Sequence, residues 1–192
     1  MNDTDILDIL NQTQAIRKGH FKLTSGLHSD TYIQCARLLE HPRLTNQLAD
    51  EVVTRLPKSL TIDLVASPAV GGILFGFAVA AALDVDLIFS ERVDGKMQFR
   101  RSFEIPQGAR VLVAEDVVTT GGSVQEVIDL VLAAGAEVVG AVSLISRGDR
   151  RVFKADFYPL LSIETPAWPP ESCDLCKQGI NIYSPGSRNL AN

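Results

Sequence analysis

The chain has 192 residues, enough for one well-buried core with a small appendage, and its 46% hydrophobic and 21% charged residues exclude a disordered polymer. Eighteen Lys and Arg against 23 Asp and Glu leave a net charge of −5. That balance argues against a general binder of nucleic acid or other polyanions, so any phosphate must be held locally, against the sign of the whole molecule.

Met1–Asp8 holds three aspartates and no basic residue, unlike a secretory or transit peptide. Ile6, Ile9, Leu10 and Thr13 recur at helical spacing, which predicts a short amphipathic helix over 5–17. Residues 20–34 alternate in polarity and carry Ser25-Gly26, which predicts a small hairpin or irregular strands. Leu48, Val52 and Leu56 share one side of a helix predicted over 45–55, and Pro57 ends it. Leu64–Leu83 is 20 residues without a charge, but Ser67, Pro68, Gly71 and Gly72 divide it into strand, turn and helix. It therefore reads as buried core, and no membrane partner is expected.

Short apolar runs at 62–66, 86–89, 111–114 and 138–145 alternate with helical patterns at about 71–83 and 123–134. In the second helix Val124, Val127, Ile128 and Val131 form one stripe, and Gly135 stands where a C-cap is wanted. This alternation predicts an α/β fold with a doubly wound, mostly parallel sheet covered on both faces, and ligands beyond the C-terminal strand ends. Segment 91–104 carries seven charges in 14 positions around Gly95 and reads as an exposed hairpin or mobile loop. The tail, 165–192, contains Pro166, Pro169, Pro170 and Pro185 and is expected to wrap the surface or pack on the N-terminal segment. The predicted layout is one domain over 1–192, with a core of about 58–150 and a small hood from about 1–57 and 151–192.

The most informative segment is Val111–Ser123, VLVAEDVVTTGGS. An apolar strand runs into two acids, Glu115 and Asp116, and then into a Thr-Thr-Gly-Gly-Ser loop that opens a helix. Paired glycines let backbone approach a ligand closely, and a helix N-terminus offers unpaired N–H groups and a positive dipole end to a phosphate. No lysine is required, so an acidic chain can still hold a dianion. A P-loop would need a lysine before its Ser/Thr, and a dinucleotide fingerprint would need three spaced glycines. Two carboxylates ahead of a phosphate loop suit the vicinal hydroxyls of a sugar phosphate. The plainer alternative is a tight turn with acids that merely favour the helix dipole, and the paired acids at a strand end weigh against it.

This segment resembles the phosphoribosyl pyrophosphate (PRPP) motif of type I phosphoribosyltransferases. Three others are similar to segments of orotate phosphoribosyltransferases. Residues 20–35 resemble the N-terminal segment, 67–76 (SPAVGGILFG) the pyrophosphate-binding loop, and 141–148 (AVSLISRG) the strand ending in the orotate-binding arginine. The resemblance spans roughly residues 5–190. It implies transfer of the phosphoribosyl group of PRPP to orotate with Mg²⁺, giving orotidine 5′-monophosphate and pyrophosphate, a step of UMP biosynthesis.

By the same resemblance, Glu115 and Asp116 are catalytic and contact the ribose hydroxyls. Val117, Val118, Thr119, Thr120, Gly121, Gly122 and Ser123 complete the PRPP site, with the 5′-phosphate on Thr119–Ser123. Thr119 and Arg147 take orotate, whose planar carboxylate suits a guanidinium fork. Arg92, Lys96, Arg100 and Arg101 match a mobile basic loop that closes on the pyrophosphate of PRPP, often in the neighbouring subunit of a dimer, with Lys96 the first choice, as a third catalytic residue, and Arg92 the second. The resemblance thus also implies a homodimer.

Departures from the family pattern are visible. Thr24 stands where many members carry lysine, and Val70-Gly71 where many carry Tyr-Lys; the basic loop is shorter and lacks the usual Lys/His set. Pyrophosphate is then held by fewer cations or by other arginines. Two rival readings stay open: a phosphoribosyltransferase for a purine or another pyrimidine, and a non-catalytic PRPP-sensing regulator. A neutral base would give Arg147 little to pair with, and an acidic chain of this length has no room for the nucleic-acid-binding module such regulators usually add.

Three cysteines, Cys35, Cys173 and Cys176, fit a reducing, cytoplasmic setting better than a disulfide framework. Cys173 and Cys176 form one CxxC, half the ligand set of a structural zinc site. Cys35, His20, His28 and His41 are distant candidates without paired spacing, so two reduced thiols in a tail turn are expected, no metal ligands are assigned, and no histidine receives a catalytic role.

Overall fold

A computed structural model describes residues 1–148 and 151–185; the end of the predicted tail, 186–192, lies outside the described residues. The first helix, α1 (Asp3–Gln12), opens with a capping box: the Asn2 side chain accepts from the Asp5 N–H at 2.9 Å, and the Asp5 carboxylate accepts from the Asn2 N–H at 3.0 Å. The helix is shorter than the predicted 5–17. The Thr13 hydroxyl donates to the Ile9 carbonyl at 2.8 Å, and Gln14 turns into the left-handed region at φ 57°. The released chain forms β1 (Ile16–Lys22), paired antiparallel with β2 (His28–Ile33) across the expected turn.

Next come α2 (Ala36–Leu39) and α3 (Pro42–Arg55), the latter starting on a proline that needs no amide partner there. Then β3 (Leu64–Pro68), α4 (Gly71–Leu83), β4 (Asp86–Val93), β5 (Lys96–Phe99), β6 (Arg110–Val118), α5 (Gly122–Ala133), β7 (Glu137–Arg147) and β8 (Phe157–Ile163) follow. A 3-10 turn (Pro170–Ser172) and α6 (Asp174–Lys177) lie in the tail.

Six strands form one sheet in the order β5-β4-β3-β6-β7-β8, parallel except for β5 at the edge. Side chains alternate between two apolar layers, as the period of a strand requires. Val65, Leu112, Ala114, Val142 and Leu144 face α1, α3 and α4, whereas Leu64, Ala66, Val111, Val113 and Ala141 face the Val124–Val131 stripe of α5. The sheet is thus a doubly wound, mostly parallel α/β sheet, covered on both faces.

The chain winds outward from β3 to β4 on one side and from β6 to β7 on the other. The strand order reverses between β3 and β6, and the crevice beyond their C-terminal ends is where such sheets take ligands. Both candidate loops, 67–76 and 115–123, leave from those two ends.

One expectation changes and another is narrowed. The core does not stop near residue 150: β8 joins the main sheet as its edge. Pro159 hid it in the sequence, but an edge strand tolerates a residue that cannot donate. Of the two forms expected for segment 91–104, its start takes the hairpin, with a two-residue Asp94-Gly95 turn joining β4 to β5. The tail packs on the N-terminal hairpin, Trp168 bridging His28 and Tyr183 bridging Phe21. Among the described residues, no helix is long and apolar enough to cross a membrane.

Candidate active site

The loop after β6 forms the floor of the site. Gly121 caps α5 at φ 78°, in the left-handed region, and a Cβ there would strike the ring of buried Phe153. No side chain caps this helix, so its first amides stay available to a ligand. Glu115 and every residue from Val117 to Ser123 line one cavity of about 190 Å³ around that terminus.

Asp116 faces the other loop. A Cβ on Gly71 would lie 2.6 Å from the Asp116 Cγ, and one on Gly72 would lie 2.9 Å from the Glu115 Oε1. The start of α4 therefore packs directly against both acids, through glycines alone. Each acid also bends back onto its own strand: Glu115 Oε1 accepts from the Asp116 N–H at 3.1 Å, and Asp116 Oδ1 from the Val117 N–H at 2.9 Å. Burial, then the Asp116 charge beside it, pushes the Glu115 carboxyl up to about 9. Beneath them Cys35 is buried, and desolvation followed by the same two charges raises its thiol well above the usual range.

Arg147 ends β7 at the same edge. Its Nε and Nη2 donate to the Thr165 hydroxyl at 3.1 and 3.0 Å, which fixes the guanidinium plane. Burial pulls its pKa below the ordinary guanidinium value, and the Tyr32 phenol opposes that pull. Arg147 stands between two cavities. One, of about 970 Å³, also meets Arg151, Phe157 and Thr165; the other, of about 620 Å³, is walled by Lys22, Thr24 and Tyr32 of the hairpin. Thr119 borders all three cavities, so it stands between the phosphate loop and the Arg147 cavities.

Arg92 and Lys96 line none of these cavities. Arg92 donates to Glu126 of α5 and to the Gly95 carbonyl, both at 2.7 Å, and Lys96 is exposed at the start of β5. Arg101 pairs with Glu91 at 2.9 Å.

A profile of the phosphoribosyl transferase domain matches residues 36–174. The chain belongs to the phosphoribosyltransferase family. It is 46% identical to the orotate phosphoribosyltransferase of Heliobacterium modesticaldum, over 98% of this chain and 100% of that protein. It is also 46% identical to the orotate phosphoribosyltransferase of Chlorobium phaeobacteroides, over 98% of this chain and 97% of the relative. Among solved structures it resembles the orotate phosphoribosyltransferase of Aeropyrum pernix, with a TM-score of 0.65 and 25% identity, covering 93% of this chain and 91% of that one.

Within this phosphoribosyltransferase, three wall residues were not singled out from sequence: Lys22, Tyr32 and Arg151. Lys22 lies two positions before Thr24, so the hairpin still presents a cation to the crevice although position 24 lacks one. Strand alternation could have flagged Tyr32. Nothing local marks Arg151, which reaches the crevice through its stack on Phe153 and Phe157.

Proposed function

We propose that this chain transfers the phosphoribosyl group of PRPP to orotate, giving orotidine 5′-monophosphate and pyrophosphate in pyrimidine nucleotide biosynthesis. The observation that carries the reading is the place of Thr119, which joins the cradle at the α5 N-terminus to the Arg147 cavity. A phosphate in the cradle and an anionic base at Arg147 would lie on either side of it. Relatives that match nearly the full chain bear the name of this activity.

On this reading the α5 amides and the Thr119, Thr120 and Ser123 hydroxyls hold the 5′-phosphate. Asp116 and Glu115 accept the ribose hydroxyls and face the positive charge that develops as the anomeric carbon loses pyrophosphate. Arg147 pairs with the orotate carboxylate, its plane set by Thr165. The glycine-lined start of α4 leaves room beside the acids for pyrophosphate. Positioning across one crevice supplies much of the rate.

The donor set also fits Mg²⁺. Two carboxyls, Glu115 and Asp116, stand side by side at one strand end and offer the hard oxygen donors that this ion takes. Glu115 and Asp116, with substrate oxygens, would hold the ion, which neutralises pyrophosphate charge when bound.

The reading extends to a homodimer in which Lys96 and Arg92 of one subunit reach the other's site. Val70 just before α4, and Leu74 and Phe77 on it, support it: they are exposed apolar side chains, 79%, 54% and 66% accessible. It also takes residues 1–192 as one unit in the cytoplasm, where free Cys35, Cys173 and Cys176 are at home.

The test is a base panel. With PRPP and Mg²⁺ the chain should consume orotate and leave adenine and uracil untouched. Turnover with a neutral base and none with orotate would overturn the substrate assignment, and PRPP binding with no pyrophosphate release would overturn catalysis.

A further inference from the structure

A second cluster of reactive side chains lies away from the crevice. His20 on β1, His28 on β2, Cys173 before α6 and Cys176 within it bring four ligand atoms within 4.8 Å of one another. We propose that these four residues bind a zinc ion in a closed, structural Cys₂His₂ site that ties the tail to the N-terminal hairpin. The inference stands independently of the catalytic reading.

The distances fit a tetrahedron. Zinc bonds of the usual length place tetrahedral edges at about 3.3 Å for N···N and about 3.6 Å for N···S. Here His20 Nε2 lies 3.1 Å from His28 Nδ1, 3.4 Å from Cys173 Sγ and 3.6 Å from Cys176 Sγ, and Cys176 Sγ lies 3.2 Å from His28 Nδ1. Two thiolates and two imidazoles favour zinc over harder cations. Binding ionises both thiols, and their protons leave to solvent.

The surroundings orient the ligands. His20 Nδ1 donates to the Ile180 carbonyl at 2.8 Å, which fixes the tautomer that bares Nε2. Cys173 caps the four-residue α6, so the CxxC turns both sulfurs to one side. Backbone bonds flank the cluster: His28 and Trp168 exchange N–H···O bonds of 2.8 Å, and the Tyr183 N–H donates to the His20 carbonyl at 2.8 Å. His20, His28 and Cys173 are buried, and Cys176 stands at the exposed side of the cluster.

The consequence is mechanical. The same hairpin carries Lys22 and Tyr32 to the cavity wall, and the tail adds Ser184. A metal joining residues about 150 positions apart in sequence removes much freedom from the unfolded chain and holds this wall in place.

The test is metal analysis of the full chain, reduced and dialysed free of loose metal. The wild type should retain about one zinc per chain, Cys176→Ser should lose it, and His41→Gln, an exposed histidine outside the cluster, should keep it. Cobalt-reconstituted wild type should show the intense visible bands of a tetrahedral thiolate site. Strong chelation should lower the wild-type Tm and leave that of Cys176→Ser unmoved. A reduced wild type that neither contains zinc nor takes up Zn²⁺ or Co²⁺ would overturn the proposal, as would full zinc occupancy in Cys176→Ser.

Discussion

A side chain on Gly71 would take the place of the Asp116 carboxylate: its Cβ would lie 2.6 Å from Cγ and 2.9 Å from Oδ1. The two loops at the switch point are fitted to each other, and the acid's position depends on the absence of one carbon. Gly71→Ala should lower kcat/KM for PRPP by roughly 10²-fold, the scale of a misplacement near 1 Å. The fold should survive, since alanine is the better helix former at that helix start. Steady-state kinetics beside a thermal melt would check both halves.

Glu115 gives the ligand-free chain a pH signature. Its carboxyl is raised from the ordinary 4.5 to about 9, so the native state holds a proton that the unfolded chain releases. The contribution to stability is full below about 4.5, declines as pH climbs, and is gone above about 9. Glu115→Gln should flatten this decline. The Tm difference between melts near pH 6 and near pH 9 should be smaller in the variant than in the wild type.

Gly121 and Gly122 are neighbours in sequence and differ in what they tolerate. Gly121 has φ 78° with the Phe153 ring against its Cβ position, whereas Gly122 has open space there and an ordinary backbone. Gly121→Ala should cost about 1–3 kcal/mol, the range for a strained left-handed residue plus a clash. Gly122→Ala should cost little. Urea denaturation separates the two.

Arg147→Lys keeps the charge and discards the planar fork. The KM for orotate should rise roughly 10-fold to 100-fold, in line with a charged hydrogen bond of about 1.5–3 kcal/mol, while the KM for PRPP stays near its original value. Thr165→Val removes the hydroxyl that holds the guanidinium. It should raise the orotate KM by a smaller factor.

Much of this architecture is written in local pattern. The Val124–Val131 stripe, the apolar runs of the central strands and the turn at Ser25-Gly26 each specify their element, because burial on one or both faces sets the period. The phosphate loop was legible for the same reason: its glycines, acids and hydroxyls serve a local backbone geometry. What stayed hidden depends on contacts between distant segments. β8 is licensed by its edge position despite Pro159, Lys22 and Tyr32 reach the crevice because the hairpin folds over it, and His20 and His28 meet the CxxC only when the tail packs back. The basic hairpin shows the reverse: its charges were plain in the sequence, but Arg92 is occupied by Glu126.

The most direct measurement follows both reactants and products in one vessel. On mixing the chain with PRPP, Mg²⁺ and orotate, orotate should disappear and pyrophosphate appear in equal amounts, and Asp116→Asn should slow both together. Orotate that persists while PRPP is bound, or an Asp116→Asn variant with unchanged kinetics, would contradict the account.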